Sequence, residues 1–384
     1  MDDNPLNQSE LKLRIATMED SPRLCQFFTS IPTLGAIDIK IEREEHFFSF
    51  YQRLGLPYRT YILENGSEIL GTASFLLREL KFKNRTILLA QACDLRIASN
   101  RRAILNWSHF FTPLLEELRA TENCDGFMTS INQTETQAMN AFIRPRQKRP
   151  HHPSYSLSRS YNLISIHGFY PWISKPSASI RVRPYQASDK SKLIEYIASQ
   201  TQNKDFLPYE LHKSVSDFIN RSLIYSWSQF LIAFDASDKI IGCVQPVSSS
   251  LLQNYLPQDY SPQAHNFRQF LKFAQTLGFA RRLTRPFSRS HKQESLPFRL
   301  LHFLCASHPE VLKALLIACY KNSKQNEFLV YAYEDEDFAK RPPKGSIYAD
   351  IPYGLYAIEP NSEEPLPELN LVHDRGAWLD FIWF

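Results

Sequence analysis

The sequence predicts an α/β protein built from two copies of one unit in tandem, and three repeated patterns carry that reading. A strand followed by a helix opens each copy, two strands joined by a turn come next, and a strand then runs straight into a long amphipathic helix. The openings are Leu13–Leu24 and Arg183–Leu193, where Arg14, Asp20 and Leu24 fall on Arg183, Asp189 and Leu193 at one constant offset. The strand pairs are Tyr58–Leu77 and Gln229–Val247. Their turns lie at Asn65-Gly66 and Asp238-Lys239, and Ile69-Leu70-Gly71 matches Ile240-Ile241-Gly242. The strand–helix segments are Cys93–Leu118 and Leu301–Tyr320, with Ala98-Ser99 matched to Ala306-Ser307. Ile104, Phe111, Leu115 and Leu118 share one helical face, as do Val311, Leu315, Leu316 and Cys319.

The copies are unequal. Gly71 and Ala98 are 27 residues apart, Gly242 and Ala306 are 64 apart, so the second copy carries about 37 extra residues. Those residues include an expected helix marked by Phe267, Phe270, Leu271, Ala274 and Leu277. Two prolines among small polar residues in Tyr170–Ser179 mark a linker. The expected organisation is therefore residues 11–169, a linker at 170–179, a second unit at 180–359, and a tail at 360–384.

Composition narrows the function classes. With 384 residues, 43% hydrophobic and 22% charged, the chain can bury a real core. No apolar run approaches the ~20 residues of a membrane span, so no membrane partner is expected. MDDNPLNQSE lacks the features of a secretory signal. Six cysteines without a C-x-x-C pair point to reduced thiols, a cytoplasmic location, and no cysteine-based metal site. Eleven glycines leave no glycine-rich phosphate loop of the Walker or Rossmann kind. Charge is uneven: no Asp or Glu occurs between Thr136 and Ser188 or between Tyr260 and Gln293, while both stretches are rich in Arg and Lys. Such asymmetry suits a phosphorylated ligand, and equally a solvated basic face paired with the acidic tail.

The order of elements, with R-x-A-T-x-x-D at Arg14–Asp20, the strand G-T-A-S-F, and D-L-R-I leading into the long helix, resembles the GNAT superfamily of N-acetyltransferases. The strand Gly126–Asn132, a short helix Glu135–Phe142 and a closing hairpin around Tyr155–Ile166 extend the resemblance through the first copy. It implies two mixed, largely antiparallel sheets flanked by helices, and acyl transfer from acetyl-CoA or another acyl-CoA to a small-molecule or peptide amine. The resemblance also implies a strand that splays from its neighbour so that its amides can polarise the thioester carbonyl. The first turn of the long helix would hold the pyrophosphate through free amides and the positive dipole end. Carried onto this sequence, the backbone of Leu95, Arg96 and Ile97 would orient the thioester, Arg101, Arg102 and Ala103 would meet the phosphates, and Asp94 would serve as general base.

Departures from the family pattern are informative. Asn100–Asn106 keeps the arginine but lacks both loop glycines, and side chains there narrow the approach to a phosphate. Adjacent Arg101 and Arg102 can restore some anion affinity. Phe142 occupies the position of the family's frequent tyrosine and has no hydroxyl to give. In the second copy, Ser307-His308-Pro309-Glu310 reads as a capping box that would satisfy the helix-tip amides, so the second copy is expected to be scaffold.

Other constellations weigh less. Glu44-Glu45-His46 and His151-His152 lack metal spacing, no metal is expected, Cys93 reads as a core thiol, and Glu116-Glu117 face different ways on a helix. Basic residues alternate with aromatics in Ala280–Lys292 and accompany His151-His152 in Arg144–His152, which keeps an aminoacyl-tRNA donor of the Fem type as a minor alternative. The apolar ending Gly376–Phe384 is expected to dock on one copy or to join a partner chain as a homo-oligomer contact. Two functions from different classes stand: an acyl-CoA-dependent N-acyltransferase, and a non-catalytic pair of GNAT folds acting as a binding or assembly module.

Overall fold

A computed structural model describes residues 11–99, 101–144, 152–289, 292–360 and 375–380; the side chains of Arg101, Arg102, Leu105, Asn106 and Ser108 lie outside that description. The first copy begins with β1 (Leu11–Ile15), α1 (Ser21–Ser30), β2 (Ile37–Glu42) and α2 (Ser49–Leu54). It continues through β3 (Tyr58–Asn65), β4 (Glu68–Phe82), β5 (Arg85–Ile97), α3 (Arg101–Glu122) and β6 (Gly126–Asn132). A short α4 (Thr136–Ala138) runs into a π-turn (Met139–Ile143), and β7 (Ser154–Phe169) closes the copy. The second copy contains β8 (Arg181–Pro184), α5 (Lys190–Thr201), β9 (Leu207–Pro208), α6 (Tyr209–Lys213), α7 (Val215–Arg221), β10 (Leu231–Phe234) and β11 (Ile240–Ser248). Then follow β12 (Asn254–Tyr260), α8 (Pro262–Thr276), β13 (Phe298–Ala306), α9 (Pro309–Asn322), β14 (Phe328–Tyr333) and β15 (Ser346–Glu359).

The matched openings fold alike because the same side chains close the same turn. Arg14 binds both oxygens of Asp20 at 2.7 Å, and Arg183 binds those of Asp189 at 2.7 and 2.8 Å. Each aspartate also accepts the backbone amide three residues earlier, from Thr17 or Gln186, at 2.8 Å. These reciprocal bonds cap the helix start. Gly71 and Gly242 fall at the same place in their copies, where a strand passes under the long helix. A Cβ on Gly71 would stand 2.8 Å from the Trp107 ring, and one on Gly242 would run into Val311.

Among the described residues, thirteen strands make one sheet whose main path is β1-β3-β4-β5-β6-β15-β7-β14-β13-β11-β10-β8. The two copies share it by exchange. The expected hairpin at Tyr155–Ile166 is instead one unbroken strand, β7; that stretch contains no Gly or Pro, and its partner arrives from the far end of the chain. β15 pairs with β7 along its whole length and with β6 through Tyr353–Ile358, while β7 pairs with β14 through Asn162–Ile166. The last strand of each copy thus lies next to the penultimate strand of the other. The smaller contacts are also reciprocal: β12 of the second copy pairs with β2 of the first, and β9 pairs with the far end of β4.

The extra residues of the second copy supply β12, α8 and the chain that returns to β13. Of the residues that marked the expected helix, Leu271 and Ala274 are buried, whereas Phe270 and Leu277 are exposed, so α8 rests on a narrower face than its sequence suggested. Residues 170–179 contain neither helix nor strand.

Candidate functional site

In the first copy β5 and β6 are parallel neighbours only over three pairs, Leu89–Gly126, Ala90–Phe127 and Gln91–Met128. Beyond them β5 runs on to Ile97 and β6 to Asn132 without pairing, so the strands splay; the Thr129 hydroxyl donates to the Ala92 carbonyl at 3.2 Å where they part. Ala98 gives its amide to Leu70 of β4 at 2.8 Å, and backbone alternation turns the Ile97 amide towards the splay. Helix α3 starts four residues after Ile97, placing its N-terminal turn at the mouth. The loop after α1 lies across the same end. Arg96 reaches the Ile31 carbonyl at 3.2 Å and the Thr33 hydroxyl at 2.6 Å.

The sequence-derived residues are therefore adjacent on one strand end and helix tip, but their roles differ from expectation. Ala103 is fully buried in the core with Trp107 and Leu115. The backbone of Arg101 and Arg102 forms the first turn of α3, and their side chains lie outside the described atoms. Asn100 and residues 145–151, which include His151 and most of the basic Arg144–His152 stretch, also lie outside the described residues. Phe142 packs on Tyr155 with ring centroids 5.4 Å apart.

Asp94 sits at a β-bulge with φ of 54°, a left-handed conformation that aspartate tolerates better than most residues. Its Oδ2 accepts from both the Arg43 guanidinium and the Tyr51 hydroxyl, while its side chain keeps 12% exposure. Tyr51 is also 2.6 Å from the Ser74 hydroxyl. Arg43 is enclosed by the rings of Phe28, Phe47, Phe50 and Tyr51, each 4.6–4.9 Å from the guanidinium carbon, and it donates to Gln253 of the second copy at 3.1 Å. Burial pushes the Asp94 carboxyl up, but Arg43, Tyr51 and Arg96 together outweigh it and hold the group below the usual carboxylate range. A depressed, ion-paired carboxylate is a weak proton acceptor. Burial raises the neighbouring Cys93 thiol, in keeping with a core cysteine. Nothing local in the sequence marks Arg43, Tyr51 or Gln253 as partners of Asp94, since Gln253 lies 210 positions from Arg43.

The second copy repeats this geometry and fills it. β13 and β14 are parallel over Phe298–Phe328, Arg299–Leu329 and Leu300–Val330, then diverge. Phe303 takes the bulge position with φ of 48°, the counterpart of Asp94. Gly242 pairs with Ala306 and Gly71 with Ile97, while Ser307 bonds Ile241 as Ala98 bonds Leu70. The true correspondence is therefore Ile97 with Ala306, one residue away from the match read in the sequence. The capping box also fails. Pro309 opens α9, so His308 is the N-cap without a side-chain cap, and Glu310 turns to Lys313 at 2.7 Å. The cleft is closed by the chain's own tail. Trp378 lies against Phe303 at 5.9 Å, Trp378 and Gly376 exchange backbone bonds with Asp205, and Ala377 donates to Glu334 at 2.6 Å. Asp380 forms a buried ion pair with Arg78 of the first copy at 2.8 Å. About 30 Å³ remains beside Tyr225 and His302, the space of a water or two.

Among the described residues, no three metal-ligating side chains cluster together, and no helix is long and apolar enough to cross a membrane. No protein-family model and no curated protein sequence matches the chain. Solved structures do. The N-myristoyltransferase of Saccharomyces cerevisiae with bound myristoyl-CoA is 11% identical, with 93% of this chain and 85% of that chain covered at a TM-score of 0.50. A GCN5-related N-acetyltransferase from Sphaerobacter thermophilus is 10% identical, with 92% and 96% covered at 0.49. A probable N-acyltransferase from Enterococcus faecalis V583 is 10% identical, with 91% and 73% covered at 0.45. The chain shares the fold of that N-myristoyltransferase, a mixed α/β architecture.

Proposed function

We propose that the chain is an acyl-CoA-dependent N-acyltransferase whose acyl-CoA site is the open cleft between β5 and β6. The observation that carries this reading is an unpaired, half-exposed strand edge at Ala92–Ile97 directly beside the N-terminus of a 22-residue helix. The Ile97 amide can donate to a thioester carbonyl as negative charge develops on it. The N-terminal turn of α3, which begins at Arg101 and Arg102, would meet the pyrophosphate of coenzyme A. The acceptor is a small-molecule or peptide amine. It attacks the carbonyl carbon, the thiolate of coenzyme A leaves, and the ammonium proton passes to water. Asp94 acts in this reading as a positioning residue. By clamping Arg43 and Tyr51 it fixes the bulge that aims Leu95–Ile97 into the cleft. The N-myristoyltransferase of like fold binds an acyl-CoA, which supports the substrate class.

A thermal-shift titration with acetyl-CoA and longer acyl-CoAs tests the proposal. Ligand at ~100 times its dissociation constant adds about 2.7 kcal/mol, and Arg101→Ala should remove most of the shift. Asp94→Asn separates base from positioning residue. Loss of a positioning contact lowers activity at every pH and lowers Tm, whereas loss of a base removes an acid limb from the pH–rate profile. The committed Asp94 carboxylate and the missing hydroxyl at Phe142 favour a second reading, a non-catalytic binding module, and no shift with any acyl-CoA would establish it in place of the enzyme.

A further inference from the structure

Helix α8 is anchored through one face only. Leu271 and Ala274 are buried, and Phe267 stacks edge-on against His167 at 5.3 Å. On the other side Phe273 and Leu277, four residues apart, are 63% and 58% exposed. Trp172 extends this surface. It is 74% exposed and lies flat on Tyr170 at 4.6 Å, and Tyr170 in turn packs on Phe279, two residues beyond Leu277. Large apolar side chains gathered this way on a chain with an ample core mark a contact surface.

The segment that carries Phe273 and Leu277 holds charges of one sign. Lys272, Arg282 and Arg285 are exposed, and the whole stretch from Tyr260 to Gln293 contains no Asp or Glu. Arg281 belongs to the interior instead, where it binds the carbonyl of Tyr320 in the last turn of α9 and that of Glu327 beyond it. The first copy has no counterpart of α8, so neither the shared sheet nor the open cleft accounts for this surface.

We propose that this face rests on an anionic lipid surface, with Trp172, Phe273 and Leu277 entering the interfacial layer and Lys272, Arg282 and Arg285 meeting lipid phosphates. An amphipathic helix with aromatic and aliphatic residues on one side and basic residues beside them has the chemistry of an interfacial helix. A second copy of the chain is a poor occupant, because a twofold contact would set basic residues against basic residues. A nucleic acid would satisfy the charges, but the Leu277 side chain offers no ring for a base to stack on. The sequence-based expectation of no membrane partner rested on the lack of a spanning segment. A helix lying on a surface needs none.

Co-sedimentation of the full chain with vesicles, without acyl-CoA, tests the proposal independently of the enzymatic reading. Binding should be at least tenfold stronger to mixed phosphatidylcholine–phosphatidylserine vesicles than to phosphatidylcholine alone, and it should weaken as salt rises. Each basic residue near such a surface contributes roughly fivefold, so K272E/R282E should lose at least tenfold, and F273D/L277D a comparable amount, with Tm unchanged. Tryptophan emission should shift to the blue on binding, and W172F should remove most of that shift. Equal binding to the two vesicle types, no binding to either, or unchanged binding by F273D/L277D would overturn the proposal. Tighter binding to a single-stranded oligouridine than to vesicles, lost in K272E/R282E and kept in F273D/L277D, would assign the face to nucleic acid instead.

Discussion

Beyond the last parallel pair of the first copy, Ala92–Arg96 stays partly exposed, whereas the equivalent Leu301–Cys305 of the second copy is buried. Both strands carry a bulge with a left-handed residue, both precede a long helix, and in both copies a glycine of the neighbouring strand lies directly under that helix. Backbone shape is therefore common property, and occupancy is what distinguishes the copies. At the bulge the first copy has a polar residue held by Arg43 and Tyr51, and the second has Phe303, which offers a ring for Trp378. A duplicated fold can thus leave one splayed strand end partly exposed and use the other as a socket for its own C-terminal segment.

The comparison breaks most readily at the socket. Asp380→Asn leaves Arg78 buried without its counter-charge, and removing one partner of such a pair costs about 3–5 kcal/mol. Equilibrium denaturation should show that loss, while acyl-CoA binding in the first cleft persists. A stability change below 1 kcal/mol would mean that the tail is not held as described.

The next effect is a pH dependence confined to one set of buried rings. Burial lowers His302, beside the socket, and His167, on β7, to about 3 from 6.5. Both are neutral in the folded chain and protonate first in the unfolded one. Their stabilisation is complete above pH 6.5 and is lost progressively as pH falls towards 3. Between those limits each contributes a slope of about 1.4 kcal/mol per pH unit. Denaturation at pH 7 and pH 5 should reveal it, and His302→Phe should remove roughly half of the slope.

The smallest effect tests the open copy. Gly71→Ala places a methyl group against the Trp107 ring and should cost about 1–2 kcal/mol through overpacking. Because Gly71 pairs with Ile97, it should also weaken the acyl-CoA shift. An unchanged shift with a lowered Tm would separate the helix contact from the cleft.

Much of this architecture was legible in short stretches. Arg14 with Asp20 and Arg183 with Asp189 are six residues apart, so a local turn decides their pairing and the repeat shows in the sequence. The splay and helix tip were legible as well, through the resemblance carried by Asp94–Ile97 and the helix that follows. The one-residue error at Ala98 came from judging identical letters, Ala-Ser, in place of hydrogen-bond register. The hairpin at Tyr155–Ile166 was misread because strand periodicity gives a strand's existence and leaves its partner unspecified.

The sequence by itself determined the repeated strand–helix openings, the paired strands that follow them and the strand that runs into each long helix, since each depends on residues close together in the chain. Tertiary structure decided which cleft stays open, that Asp94 is committed to Arg43, that the closing strands are exchanged, and where the tail docks. Those outcomes rest on contacts between residues 50 to 300 positions apart, and the free energy of such contacts belongs to shape and charge brought together by folding, which no local pattern encodes.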